Sequence, residues 1–427
     1  MRKRRKLNIA VWHNLASGGG KRVLYEHVKG LIARGHSVEA WCPSSADTNY
    51  LPLRDLIEEH VLPFIWVEPN ASTSFTSLIY PYRRVQTMLA AMERHCAACA
   101  DQITSRGFDL LFANSCIFFR VPAIGKLLSG MPKVLYLQEP YRRLYEALPS
   151  FPWLALPKVG SHPLLPKNLK LLLRDWTKIQ GLRVQAREER TNVENFDQIL
   201  VNSYFSRESL LRAYGLDSEV CYLGVSSDTF HPIAVARENF VAGLGSFNFE
   251  KGIDTAIRAL ATIPIAKRPE LIWIGNSANE GYYEDMTLLA ASLDVRFVPK
   301  LRISDNETTD LLNRAALLLY TSRLEPFGLA PLEANACAAP VVAIAEGGVR
   351  ETIHNMQNGL LVPSRDPRAL GLAVLTLLED SVLARSLGER GRQKVLEQWT
   401  WEGAVDRLED RLIDSVQRRA EFLAKPL

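Results

Sequence analysis

No apolar run in this chain reaches the roughly 18 to 20 residues that a bilayer-crossing helix needs. The nearest approach at the start, LNIAVW at 7–12, is too short for the core of a signal peptide. The expectation is a cytoplasmic protein. Cysteine is scarce: six in 427 residues, with one close pair, Cys96 and Cys99 in HCAACA, and no second pair to complete a zinc site. These read as plain buried thiols, and no metal is expected. There is no zinc-finger, homeodomain or RNA-recognition signature and no basic stripe with interleaved aromatics, so nucleic acid is not an expected partner. Two nucleotide motifs also fail. SGGGK at 17–21 lacks the earlier glycine and the following Ser or Thr of a phosphate loop, having Leu15 and Arg22 there, and Gly18, Gly19 and Gly20 are consecutive rather than spaced as G-x-G-x-x-G.

What is present fits a globular protein: 47% apolar and 23% charged residues, in a chain too long for one compact core. Two domains make a cleft between them possible. The net charge of +4 is small, yet five of the first six residues, MRKRRK, are basic. Such a tail is either a solvated end or an attraction to anionic lipid, at about 1 kcal/mol per Lys or Arg near the surface.

The first segment reads strand, glycine loop, helix, strand: LNIAVWHN, LASGGG, KRVLYEHVKGLIARG, HSVEAWCP. Val23, Leu24, Val28, Leu31 and Ile32 give that helix one apolar face. FDLLFANS, KVLYLQEP and FDQILVNS continue as short apolar strands with polar ends, which line the carboxyl edge of a parallel sheet, where open α/β sheets bind ligands. A second set starts near 239 with NFVAGLGSFNFEKGIDTA, ELIWIGNSA, DVRFVPKL, AALLLYTS and APVVAI. Two doubly wound Rossmann-like α/β domains follow, at 1–232 and 233–398, joined through LGVSSDTFHPIAVARE, with 399–427 as a helix returning to the first domain. Residues 149–185 interrupt the first domain with prolines, tryptophans and basic residues among leucines. They read either as a helical excursion packed on their own domain or as a basic amphipathic element at a membrane or over a groove.

The glycine run at 18–20 lets backbone amides approach a ligand at a helix N-terminus, although a tight turn needed only for packing is the alternative. A stronger signal lies in TSRLEPFGLAPLEANACAA, where Glu325 and Glu333 stand eight residues apart. AALLLYTS is a buried strand and APLEANACAA a small-residue helix, so RLEPFG is the turn between them, with the amides of Phe327, Gly328 and Leu329 at the ligand edge. Carboxylates so placed suit bidentate hydrogen bonds to vicinal hydroxyls of a sugar or ribose. Lys251 occupies the matching loop of the same domain's first strand and can neutralise phosphate. Each alone is an ordinary surface or capping group; on one sheet edge they converge.

These residues resemble family 4 glycosyltransferases of the two-Rossmann GT-B architecture, whose domains face each other across a cleft. The family's E-x7-E is matched by Glu325 and Glu333, its GG(V/I)xE by Gly347, Gly348, Val349 and Glu351, and NGLLV follows at 358–362. Weaker matches run along most of the chain. The resemblance implies transfer of a hexose-type sugar from a nucleotide-sugar to a hydroxyl of a glycan or lipid-linked acceptor, with retention of configuration and no cofactor or essential metal. It assigns Glu333 to the ribose hydroxyls, Glu325 with Phe327, Gly328 and Leu329 to the donor sugar, and Lys251 to the departing diphosphate. Gly19, Gly20, Gly275, Asn276, Lys300 and Leu301 complete the donor site, and Gly18, Gln138, Glu139 and Arg142 the acceptor side.

Three departures accompany the match. An arginine often stands five residues before the lysine, and here that position is Ser246, with Lys300 or Arg302 as substitutes. A functional histidine often follows the strand that ends KVLYLQ, where this chain has Gln138 and Glu139. Glu139 would act as base or bind the acceptor, or the diphosphate itself takes the proton. In the linker, Ser226 replaces the usual aspartate. Biosynthesis of polysaccharide, lipopolysaccharide or another glycoconjugate, with peripheral contact to an anionic membrane, is the leading reading. An epimerase, a phosphorylase or a non-catalytic sugar-nucleotide-binding partner are the alternatives.

Overall fold

The computed structural model describes residues 5–72, 74–154, 166–363 and 365–424. The chain divides into two compact units, one of 1–201, 207–219 and 408–427, the other of 202–206 and 220–407. The helix Trp401–Ala424 is thus shared between them, and only its part from Leu408 onward belongs with the first unit.

In the first unit, strands β1 (Asn8–Asn14), β2 (Ser37–Pro43), β3 (Glu58–Leu62), β4 (Leu110–Cys116), β5 (Lys133–Tyr136), β6 (Gln198–Val201) and β7 (Glu219–Val220) form a sheet of order β3-β2-β1-β4-β5-β6-β7. β3 through β6 in that order run parallel. The central strands β1 and β4 are buried along nearly their whole length, because helices cover both faces of a parallel sheet. β3, EEHVL, is the exception: an edge strand of charged residues with no apolar alternation to reveal it. The 149–185 region contributes the helix Pro166–Val193, which packs along the 33-residue helix Ser74–Arg106. Gly181 permits that close approach, since a Cβ there would sit 3.2 Å from the Pro81 carbonyl. Of the region's expected course, 155–165 lie outside the described residues, as do residues 1–4 of the basic tail.

The second unit carries β8 (Glu238–Leu244), β9 (Glu270–Gly275), β10 (Phe297–Leu301), β11 (Ala315–Tyr320), β12 (Val341–Ile344) and β13 (Leu360–Val362), in the order β10-β9-β8-β11-β12-β13. All neighbours are parallel. Every strand therefore ends at the same edge, and the chain order reverses beside β8, so the loops after β8 and β11 are neighbours there. Beneath them Val241, Ile257, Leu271, Trp273, Leu317 and Val342 form the core.

Candidate active site

The carboxyl edge of the second sheet is built from four loops stitched to one another. After β8 the chain turns through Gly245 and Ser246 to a short 3-10 turn, Phe249–Lys251, whose Asn248 side chain accepts from the Lys251 amide. Gly252 follows with φ 69°, and a Cβ there would lie 2.2 Å from the Thr321 carbonyl, so this loop is pressed against the end of β11. Thr321 Oγ1 donates to the Gly252 carbonyl and the Arg323 amide to that of Glu250. Arg323 also holds Asp254, at 2.8 and 3.0 Å, and lies over the Phe249 ring.

This stitching brings Lys251 and Glu325 together. The Lys251 ammonium donates to Glu325 Oε2 at 2.7 Å, and the Ser322 hydroxyl donates to the same oxygen at 2.6 Å. Both charged side chains are only partly exposed, 25% for Lys251 and 17% for Glu325, so the pair borders solvent without being fully wet. The stem of Lys251 runs across Gly245, where a Cβ would approach Lys251 Cδ to 2.9 Å.

The turn bearing Glu325 is held from below. Leu324 (φ 46°) and Gly328 (φ 95°) bracket it in left-handed conformations, a costly geometry for leucine. Gly347 and Gly348 fit beneath: a Cβ on Gly347 would lie 2.2 Å from the Glu325 carbonyl and one on Gly348 2.1 Å from that of Pro326. The Gly348 amide donates to the Glu325 carbonyl at 2.8 Å. Phe327 is buried against Tyr222 and Trp399, which anchors the turn while its backbone stays at the edge. The helix Leu329–Ala336 then begins, and the amides of its first turn have no acceptor within the helix. Glu333 sits buried on its second turn. Glu351 lies apart from this group. Its carboxylate accepts from the amides of Tyr204 and Phe205 and the hydroxyl of Tyr222, so it caps a helix start.

The remaining donor-side candidates occupy the same edge in different roles. Gly275 ends β9 beneath the Gly245 carbonyl and the Phe247 ring, where a Cβ would meet them at 2.7 and 2.9 Å. Asn276 follows it. Ser246 accepts a hydrogen bond from Ser277, 3.0 Å away. Lys300 and Leu301 end the edge strand β10, exposed, and Arg302 (φ 56°) donates its amide to the Gly275 carbonyl. Ser226 bonds Thr229 and its carbonyl accepts from Phe230, a local turn rather than part of this edge.

In the first unit Gly18, with φ 137°, precedes the helix Gly19–Ala33, and Gly20 is close to Gln138, whose Nε2 would lie 3.8 Å from a Cβ there. Glu139 pairs with Arg120 at 2.8 Å and lies 3.8 Å from Arg142, which in turn binds Glu146 at 2.6 Å. Two guanidinium groups already claim the Glu139 carboxylate.

Lys21, read from sequence only as the end of a failed phosphate loop, is fully buried and points to β3. Its ammonium lies 3.7 Å from Glu59 Oε1, the oxygen that His13 Nε2 meets at 3.2 Å. Burial pulls His13 down to about 4 and lowers Lys21 from its ordinary value. Burial opposes ionisation of Glu59, but the His13 hydrogen bond and the Lys21 charge hold its carboxyl below the usual range. His13, Cys42 and Glu59 are close enough to share an ion, with ligand atoms within 4.8 Å, and the Lys21 ammonium already supplies positive charge beside them.

Comparisons with known proteins give the family of the chain. Residues 17–229 match the model described as Glycosyltransferase Family 4, and 228–394 the model described as Glycosyl transferases group 1. The chain is 26% identical to the D-inositol 3-phosphate glycosyltransferase of Thermobispora bispora, over 80% of this chain and 86% of that one. It is 25% identical to the alpha-1,3/1,6-mannosyltransferase ALG2 of Rhizomucor pusillus, over 96% and 92%. Among solved structures, sucrose-phosphate synthase of Thermosynechococcus elongatus superposes with a TM-score of 0.69 at 21% identity, covering 99% of this chain and 100% of that one. Anabaena HepE in complex with UDP-glucose does so with 0.67 at 17%, covering 95% and 99%. The chain belongs to the family 4, group 1 glycosyltransferases and has their GT-B fold.

Proposed function

We propose that this glycosyltransferase moves a hexose-type sugar from a nucleotide-sugar to a hydroxyl of a glycan or lipid-linked acceptor, with retention of configuration, in polysaccharide or glycoconjugate biosynthesis. The observation that carries the reading is the Lys251–Glu325 contact at the edge of the second sheet, beside the first turn of Leu329–Ala336. When the bond between sugar and diphosphate breaks, negative charge gathers on the phosphate oxygens. The Lys251 ammonium and the amides of Gly328 and Leu329 are placed to stabilise that charge without reorganising. The sugar gains oxocarbenium character, which the Glu325 carboxylate favours. Glu333, one helical turn further in, binds the ribose hydroxyls.

The proton of the acceptor hydroxyl passes to the departing diphosphate, and Glu139 with Gln138 and Arg142 positions the acceptor. This division is favoured because Arg120 and Arg142 already hold Glu139. Names of relatives support the donor class: HepE was crystallised with UDP-glucose, and ALG2 is a mannosyltransferase. The six cysteines are buried and none is joined in a disulfide, which fits a reducing compartment such as the cytoplasm.

Thermal melting against a panel of uridine and guanosine sugar nucleotides identifies the donor, because a ligand that binds only the folded state raises the melting temperature. NMR of the first product formed then reports the anomer. An inverted anomer removes retention, and melting unchanged by every sugar nucleotide removes the donor reading.

A further inference from the structure

We infer that the first turns of the helix Pro166–Val193 are a docking surface for an anionic lipid bilayer. From Thr177 onward this helix is held by its neighbour: Thr177 Oγ1 donates to the Leu78 carbonyl at 2.5 Å, and Gly181 lies against Pro81 and Val85. Before Thr177 the apolar side chains face outward. Leu169, Leu172, Leu173 and Trp176 are 45%, 38%, 42% and 60% exposed. Their spacing of i, i+3, i+4 and i+7 places them within about 100° of one another around the helix, a continuous apolar stripe. Lys170, Arg174 and Lys178, all exposed, follow one another at intervals of four on the other side, against a single acid, Asp175, and one further exposed leucine, Leu171, lies outside the stripe among them.

Exposed apolar stripes of this kind mark interaction surfaces. The charge pattern selects the occupant. Lys and Arg on the polar face with Leu and Trp opposite is the arrangement of a helix lying in a membrane interface, where the apolar face enters the acyl boundary and the cations meet acidic headgroups. A second copy of the chain would bring the same cations against themselves in a two-fold contact, with no acids alternating to offset them. The leucines therefore have a partner in lipid that they lack in another copy.

The test is sedimentation of the full-length protein with vesicles of phosphatidylcholine, with and without phosphatidylglycerol, at low and high salt. Wild type is expected to bind the anionic vesicles and to lose much of that binding as salt screens the cations. The variant Leu172→Ser/Leu173→Ser/Trp176→Ser is expected to bind at least about tenfold more weakly, with unchanged melting and unchanged donor binding. Lys170→Ser/Arg174→Ser/Lys178→Ser is expected to lose the preference for phosphatidylglycerol. No binding to either vesicle overturns the inference. So does an apolar variant that binds like wild type, which would assign the attraction to the basic residues of 1–6. A dimer in ultracentrifugation that the apolar variant abolishes, with wild type absent from vesicles, would assign the stripe to self-association instead.

Discussion

Lys251 and Glu325 stand 74 residues apart in the chain and 2.7 Å apart in the fold. The ammonium that would receive a diphosphate is held, before any donor arrives, by the carboxylate that would face its sugar. A phosphate entering this edge competes for a cation already positioned and partly desolvated, so little geometry has to be found during the reaction.

Lys251→Met is therefore expected to lower kcat by about 10²- to 10³-fold with the fold intact, as loss of a preorganised donor to a developing anion does. Glu325→Gln keeps the hydrogen bond from Ser322 and removes the charge. It is expected to lose kcat on a similar scale while circular dichroism stays unchanged.

Glu333→Gln tests a different contact. A residue that holds ribose equally in ground and transition states raises KM and leaves kcat near wild type. An increase in KM of about tenfold, the value of one charge-assisted hydrogen bond, is expected from initial-rate kinetics.

The second cation is the next test. Ser246 stands where the family resemblance implies an arginine, and Arg302 is anchored at the same sheet edge by its amide on Gly275. Arg302→Ala is expected to reduce kcat by about tenfold, and Ser246→Arg/Arg302→Ala to recover part of that loss. Full activity in Arg302→Ala would shift the role to Lys300.

Gly347→Ala adds a methyl group where only 2.2 Å separates its position from the Glu325 carbonyl, on a residue with φ 62°. A loss of roughly 1–3 kcal/mol in stability is expected from the strain. Activity at a temperature where the variant is fully folded should fall further, because the turn that carries Glu325 has to move.

Acid should loosen the first unit through His13. Its folded value is about 4, lowered by burial beside Lys21 and Glu59, against the ordinary 6.5. Between these values the unfolded chain binds the proton and the folded one does not, so stability falls as pH drops from about 6.5 to about 4 and is fully present above 6.5. The contribution is up to about 3 kcal/mol, and His13→Gln is expected to flatten the melting temperature across that window.

The parallel strands with polar ends were legible because apolar runs ending in Asn, Ser or Gly mark buried strands and ligand-edge loops; β1, β4, β6, β8 and β11 all follow this rule. β3 was not, since its EEHVL is a charged edge strand whose meaning lies in Lys21 and His13, buried against Glu59 from 38 and 46 residues away. The convergence of Lys251 with Glu325 followed from parallel topology alone. Its supports did not: Ser322 and Arg323 look like ordinary loop residues until the β8 and β11 loops meet, and Gly347 and Gly348 look like a motif rather than a seat for the Glu325 turn. The pairing of Glu139 with Arg120 was not legible either, because nothing local announces an arginine 19 residues upstream.

The most direct test of the account is transfer itself: release of nucleoside diphosphate coupled to a glycosylated product, measured by mass spectrometry for wild type, Lys251→Met and Glu325→Gln with the donor that raises the melting temperature. The account predicts product from wild type and a loss of about 10²-fold or more in both variants. Near wild-type turnover in both would contradict it.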